Sequence, residues 1–162
     1  MLTVDFDRLN VKDGHLVLDA GCGLGRHSVE FRRRGARVVS MDMDMPSLIQ
    51  TKSILEGMTE TCTMYGKNNF MVHSGDALNL PFRDETFDRI ICAEVMEHVS
   101  DDFHACAELS RVLKKNGRIA VTVPTFFSEM IYDVLTYEYF TSPGGHVRKY
   151  IPSVLADIMR KN

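Results

Sequence analysis

Short apolar segments alternate with longer segments of helical pattern along this sequence, and this alternation constrains the fold more than any other feature. Strands that alternate with helices and lack a polar face are typical of a parallel sheet covered on both sides. Right-handed crossovers between such strands give an open, doubly wound sheet. We therefore predict a Rossmann-like α/β fold with mainly parallel strands at 15–18, 37–41, 70–73, 87–93 and 118–123.

Residues that begin or end helices separate the predicted strands. Gly35 ends the first helix, and Pro46 suits the first turn of the second. Ser100 begins the third helix and Gly117 ends it. A chain of 162 residues is long enough for one core, so we predict a single domain over the whole sequence. The predicted helices span 25–34, 46–56, 100–117 and 153–160.

Composition argues against several classes of protein. The net charge of −3 gives no electrostatic footprint for nucleic acid, so a nucleic-acid partner is not expected. No apolar run approaches the roughly 18 residues of a membrane span. The 4 cysteines form no C-x-x-C pair, which disfavours a zinc knuckle. Free thiols and the lack of an apolar signal segment predict a cytoplasmic location.

Three glycines follow the first predicted strand in the segment VLDAGCGLGRHS, residues 17–28. No lysine follows them, as a P-loop requires, and neither register fits the dinucleotide motif G-x-G-x-x-G. The pattern is instead D-x-G-x-G-x-G, from Asp19 to Gly25. Since glycine allows positive φ and close approach of the backbone to a ligand, an uncharged or cationic part of a ligand could lie across this loop.

Four segments in order resemble the class I S-adenosylmethionine-dependent methyltransferases, and in particular the type 11, ubiquinone/menaquinone-biosynthesis-like methyltransferase domain. These segments are VLDAGCGLG, VVSMDMD, GDALNLPF and FDRIICAEVMEHV, and LKKNGRIAVTVP follows them. The resemblance extends over roughly residues 11–150. It implies S-adenosyl-L-methionine as the cofactor, bound by Asp19, Gly21, Cys22, Gly23, Gly25, Asp42, Met43, Asp76, Ala77 and Glu94.

The resemblance assigns different parts of the cofactor to two of these acids. Asp42 would accept hydrogen bonds from both ribose hydroxyls. Asp76 would accept a hydrogen bond from the adenine amino group, with the backbone of Ala77 nearby. Both acids follow predicted strands, at the edge of the sheet where ligands of such folds bind.

The motif E-x-x-E-H, formed by Glu94, Glu97 and His98, follows the fourth predicted strand. Residues three and four apart share one face of a helix. His98 is the best candidate for a catalytic base by residue type. An alternative is a divalent metal site formed by Glu94, Glu97, His98 and His146. Many members of the family carry a similar motif without a metal, so we do not favour the metal site.

Members of this family usually have two more strands after the fifth, and this chain ends before such a pair. We therefore expect a sheet that lacks the C-terminal strand pair, in a domain that is C-terminally truncated. An exposed fifth strand would favour edge-to-edge association, so a homodimer is one open explanation.

The resemblance predicts an enzyme that transfers a methyl group from S-adenosylmethionine to a small molecule, with an aromatic or quinone-like ring as one candidate acceptor. Two alternatives stay open: a non-catalytic S-adenosylmethionine-binding module, and a methyltransferase that acts on RNA or protein. A dinucleotide-dependent oxidoreductase is disfavoured, because the third glycine of its motif is absent.

Overall fold

The computed structural model describes residues 2–61 and 69–123. The described strands are β1 (Leu16–Ala20), β2 (Arg37–Asp42), β3 (Phe70–Ser74), β4 (Phe87–Ala93) and β5 (Leu113–Thr122). The described helices are α1 (Phe6–Leu9), α2 (Arg26–Arg33), α3 (Met45–Thr61), a 3₁₀ turn (Met96–His98) and α4 (Asp102–Val112). Outside the described residues lie His146, the helix predicted at 153–160 and the rest of 124–162, on which the predicted lack of a further strand pair depends.

The strands that the structure describes form one parallel sheet in the order β3-β2-β1-β4-β5. The chain winds outward from β1 in both directions, so the order reverses between β1 and β4. In register, Leu18 of β1 lies between Val39 of β2 and Ile90 of β4. The predicted doubly wound, Rossmann-like α/β fold is confirmed.

The three central strands, β1, β2 and β4, are buried on both faces, which explains why they have no polar alternation. On one face, Val17 and Ile91 pack with Phe31 of α2. On the other face, Leu18 packs with Leu109 of α4. Successive residues of a strand point to opposite faces, so both sets must be apolar.

The third predicted helix is shorter than expected. The helix α4 ends at Val112 and β5 begins at Leu113, so Gly117 lies within the strand and does not end the helix. The backbone N–H of Thr86 donates to the Val112 carbonyl at 2.8 Å, and Leu113 pairs with Phe87. Pairing with β4 therefore outweighs the weak local preference of this segment for a helix.

Among the described strands, β5 pairs with β4 alone and lies at one edge of the sheet. The predicted homodimer through this edge stays a prediction. No helix within 2–61 or 69–123 has the length and apolar character needed to cross a membrane.

Candidate functional site

The loops at the carboxyl ends of the strands surround a cavity of about 750 Å³. This volume lies within the range of about 300–1,000 Å³ that is typical of small-molecule sites. The cavity lies where the strand order reverses, the usual ligand site of such sheets. Its lining includes eight predicted cofactor-binding residues, Gly21, Cys22, Gly23, Asp42, Met43, Asp76, Ala77 and Glu94, together with His98.

The glycine loop after β1 adopts a left-handed backbone conformation that residues with a side chain rarely adopt. Gly21, Gly23 and Gly25 have φ values of +74°, +50° and +76°. A Cβ atom on Gly21 would overlap Cγ2 of Val95, which lies after β4. The loop therefore approaches the β4 loop so closely that only glycine fits at its first position.

Asp42 holds the loop from the end of β2. Its Oδ2 accepts a hydrogen bond from the Gly23 N–H at 2.7 Å, and its Oδ1 accepts one from the Asp44 N–H at 2.9 Å. Because each carboxylate oxygen has two lone pairs, one acceptor position stays on each oxygen for a ligand. Asp42 is half-buried and lines the cavity, so those positions suit a pair of neighbouring hydroxyl groups.

The segment after β3 forms a compact turn at the cavity wall. Oδ1 of Asp76 accepts a hydrogen bond from the Leu78 N–H at 2.9 Å, and the Asp76 carbonyl accepts one from the Asn79 N–H. The N–H of Gly75 donates to the Asp42 carbonyl at 3.0 Å. The turn therefore fixes Asp76 next to the end of β2.

An ion pair joins α2 to the end of β4 across the cavity. Nη2 of Arg26 lies 3.1 Å from Oε2 of Glu94, and both side chains are about two-fifths exposed. Glu94 has a φ of +58°, a backbone conformation that is unfavourable for residues other than glycine. Its N–H donates to the Thr122 carbonyl at 2.8 Å, which helps to hold this conformation. Strained residues of this kind concentrate at functional sites.

Two histidines line the cavity, and their surroundings differ. His27 is buried, and its Nε2 lies 3.3 Å from Oγ1 of Thr3. Burial and the positive charge of Arg26 lower the pKa of His27 to about 4, so its ring is neutral at pH 7. His98 lies in the 3₁₀ turn, where its N–H donates to the Val95 carbonyl. The structure thus places the predicted base at the cavity.

The structure does not place Glu94, Glu97 and His98 on one helical face. Glu94 lies before a 3₁₀ turn of 3 residues, which is too short to repeat the spacing of an α-helix. Glu97 is only 1% exposed and does not line the cavity. Among the described residues, no three His, Cys, Asp or Glu side chains are grouped to hold a metal ion. The fourth predicted ligand, His146, lies outside those residues.

A family model described as "Methyltransferase domain" matches residues 18–121, which is more than half of the chain. This chain belongs to the methyltransferase domain family. The predicted resemblance to class I S-adenosylmethionine-dependent methyltransferases is confirmed. The matched region contains every loop that lines the described cavity.

Individual relatives agree with this assignment. The domain is 38% identical to a demethylmenaquinone methyltransferase of Thermobifida fusca, over 67% of this chain and 43% of that protein. It is 32% identical to the ubiquinone/menaquinone biosynthesis C-methyltransferase UbiE of Paracoccus denitrificans, over 85% of this chain and 52% of that protein. The crystal structure of YcgJ from Bacillus subtilis covers 96% of this chain with a TM-score of 0.77 and 25% identity, and 64% of YcgJ is matched. The chain spans about half the length of these two curated relatives.

Two predicted cofactor-binding residues of the methyltransferase domain, Asp19 and Gly25, are not part of the cavity lining. Asp19 is fully buried beneath the glycine loop, where its Oδ2 accepts a hydrogen bond from Oγ of Ser28 at 2.6 Å. Oγ of Ser28 lies 2.7 Å from Oγ of Ser40. No described residue donates to Oδ1 of Asp19. Burial raises the pKa of Asp19 to about 6, although the Ser28 hydroxyl partly opposes this shift.

The raised pKa of Asp19 predicts how the stability of the methyltransferase domain depends on pH. Because the folded-state pKa exceeds the unfolded value of 3.8, the folded state binds more protons between about pH 4 and 6. Its stability should therefore fall by up to about 3 kcal/mol as the pH rises through this window. Urea unfolding without ligand at pH 4 to 7 measures the free energy of unfolding. For Asp19→Asn, this free energy should lack the fall with pH, whereas Asp44→Asn, at an exposed position, should show the same fall as the wild type. An Asp19→Asn variant with the wild-type pH dependence would contradict the assignment.

Sequence reasoning missed one buried residue that contacts the glycine loop. Thr51 of α3 is fully buried, and its Oγ1 donates to the Gly23 carbonyl at 2.8 Å. The only sign of Thr51 in the sequence is its spacing, three residues after Leu48 and four before Leu55, which are both buried. No feature of the sequence indicates the ion pair between Arg26 and Glu94.

Proposed function

We propose that this domain transfers a methyl group from S-adenosylmethionine to a small molecule that contains an aromatic or quinone-like ring. The observation that best supports the cofactor is the charge of the cavity. Of the described lining residues, three are carboxylates (Asp42, Asp76 and Glu94) and one is a cation (Arg26). Arg26 is paired with Glu94, so the remaining charge is negative.

A negative cavity fits this cofactor better than it fits a dinucleotide. S-Adenosylmethionine carries a positive sulfonium and a positive ammonium group, and opposite charges attract strongly in a partly buried site. A carboxylate at the end of β2 can bind the ribose of a dinucleotide as well. A dinucleotide would, however, also bring a negative pyrophosphate to a glycine loop that lacks the third glycine of the dinucleotide motif and lies beside Glu94. The carboxylate of Asp19 beneath the loop adds negative charge above about pH 6.

The residues present can hold each part of the cofactor. The remaining acceptor positions of Asp42 suit the ribose hydroxyls, and Asp76 with Ala77 suits the adenine. Arg26 and Glu94 offer opposite charges to the carboxylate and ammonium of the amino-acid end. Gly21 and Gly23 of the glycine loop present backbone without side chains to the cavity. Burial raises the pKa of the Cys22 thiol, so this thiol stays protonated and unreactive.

When bound, S-adenosylmethionine supplies an electrophilic methyl group on a sulfonium whose sulfur keeps the bonding electron pair. In the proposed reaction, His98 accepts the hydroxyl proton of a hydroquinone. The resulting oxyanion would be methylated on its oxygen, or on a ring carbon that afterwards releases its own proton to solvent. The apolar residues Leu24, Leu78, Val95 and Val99 line the same cavity and suit a flat ring. Two relatives named for menaquinone or ubiquinone methylation support this class of acceptor.

A transfer assay tests the proposal. The chain is incubated with methyl-labelled S-adenosylmethionine and, separately, with 1,4-naphthohydroquinone, a catechol, total RNA or a protein mixture. We expect labelled naphthohydroquinone and an equal amount of S-adenosylhomocysteine, and mass spectrometry identifies whether carbon or oxygen is methylated. His98→Asn should lower kcat and leave the affinity for S-adenosylhomocysteine unchanged. Labelling of RNA or protein alone would contradict the acceptor class, and binding without any turnover would support a non-catalytic module.

A further inference from the structure

The peptide groups of Gly23 are held on two sides by side chains from different elements. Oδ2 of Asp42, at the end of β2, accepts the Gly23 N–H at 2.7 Å. Oγ1 of Thr51, in the middle of α3, donates to the Gly23 carbonyl at 2.8 Å. Gly23 has no side chain and a φ of +50°, so these two hydrogen bonds select its conformation among those open to glycine.

Thr51 lies directly against the glycine loop. A Cβ atom on Gly25 would come within 2.7 Å of Cγ2 and 2.8 Å of Oγ1 of Thr51. Among the residues that the structure describes, the thiol of Cys22 also donates to the Gly23 carbonyl, at 3.7 Å, and thiols are weak donors. The Thr51 hydroxyl is therefore the main constraint on this carbonyl.

We propose that Thr51 is a positioning residue for the cofactor, acting through Gly23 on the carboxylate of Asp42. The inference rests on the proposed function, since it assumes that Asp42 binds the ribose hydroxyls. The Gly23 N–H and carbonyl belong to the two peptide groups on either side of its Cα. Without the Thr51 hydroxyl, φ and ψ of Gly23 are less constrained, and the N–H is held less firmly on Oδ2 of Asp42. The carboxylate then samples rotamers in which its remaining acceptor positions do not match a diol.

The expected effect is a loss of affinity without a change in the ligand contacts themselves. Apparent affinity falls in proportion to the fraction of molecules in the binding-competent conformation. If the competent fraction falls to about one-fifth when the hydrogen bond is lost, the Kd rises about fivefold.

Calorimetric titration with S-adenosylhomocysteine measures this effect in the full chain. Thr51→Val keeps the shape of the side chain and removes the hydroxyl, so its Kd should rise about fivefold. Thr51→Ser keeps the hydroxyl and should bind within about twofold of the wild type. Leu55→Val is the control, because Leu55 is equally buried on α3 and does not line the cavity. It should lower the melting temperature and leave the Kd unchanged. Thr51→Ala replaces Thr51→Val if the latter does not fold.

A double-mutant cycle separates positioning from simple packing. In the Asp42→Asn background, Thr51→Val should change the Kd by less than about twofold, because the group it positions is already altered. Equal effects of Thr51→Val in both backgrounds would overturn the inference, as would a wild-type Kd for Thr51→Val. Failure of the wild-type chain to bind S-adenosylhomocysteine would instead contradict the proposed function, so the two failures are distinguishable.

Discussion

Replacement of Asp42 by Ala should weaken the binding of S-adenosylhomocysteine about 100-fold, equivalent to about 2.8 kcal/mol. The proposed diol contact would lose two charge-assisted hydrogen bonds, each worth about 1.5–3 kcal/mol. The Gly23 N–H would also lose the acceptor that it has at 2.7 Å. Isothermal titration calorimetry of the folded variant measures the change in Kd.

Asp44→Ala is the matched control for this variant. Asp44 lies two residues from Asp42, and its Oδ2 accepts the Ser47 N–H at the start of α3. Loss of this contact should lower the melting temperature slightly, as loss of a helix cap does, without changing the Kd. Equal weakening by both substitutions, or none by Asp42→Ala, would contradict the ribose assignment.

Substitution of Gly21 by Ala should reduce methyl transfer about 100-fold or more, because a displacement of about 1 Å at a reacting site is enough for such a loss. The new Cβ would overlap Cγ2 of Val95, which lines the cavity, so either the loop or Val95 must move. The φ of +74° adds roughly 1–2 kcal/mol of strain for a residue with a side chain. Steady-state kinetics and thermal unfolding of the purified variant measure the two effects.

Two further variants separate the overlap from the strain. Gly14 has a φ of +75°, and a Cβ there would meet no atom within 4 Å. Gly14→Ala should therefore be destabilised by strain alone and keep its activity. Adding Val95→Ala to Gly21→Ala removes the overlapping methyl group and should restore part of the activity. If the activity of the double variant is no higher than that of Gly21→Ala, contact with Val95 does not explain why residue 21 is glycine.

The sequence was most informative where burial and backbone geometry impose a pattern. The apolar run at 90–93 in β4 follows from burial on both faces, and the bounds of this strand, Phe87–Ala93, were predicted correctly. The start of β5 was not, because Leu113 pairs with Phe87 across the sheet, and local helical propensity contains no information about such a partner. The position of the cavity beyond the carboxyl ends of the strands follows from the parallel topology.

Within the candidate site, the loops could be predicted and the side-chain contacts between them could not. The positions of Asp42 and Asp76 after consecutive strands placed both acids at one edge of the sheet. The burial of Glu97, the ion pair of Arg26 with Glu94 and the contact of Thr51 with Gly23 depend on side-chain directions across separate elements. Spacing along the sequence contains no such directions, particularly in a 3₁₀ turn of 3 residues.

The most direct test of this account is calorimetric titration of the purified chain with S-adenosylhomocysteine and, in a parallel experiment, with NAD. The negative cavity and the glycine loop predict saturable binding of one S-adenosylhomocysteine per chain and no measurable binding of NAD. Binding of NAD alone, or of neither ligand to a chain shown to be folded, would contradict the proposed cofactor.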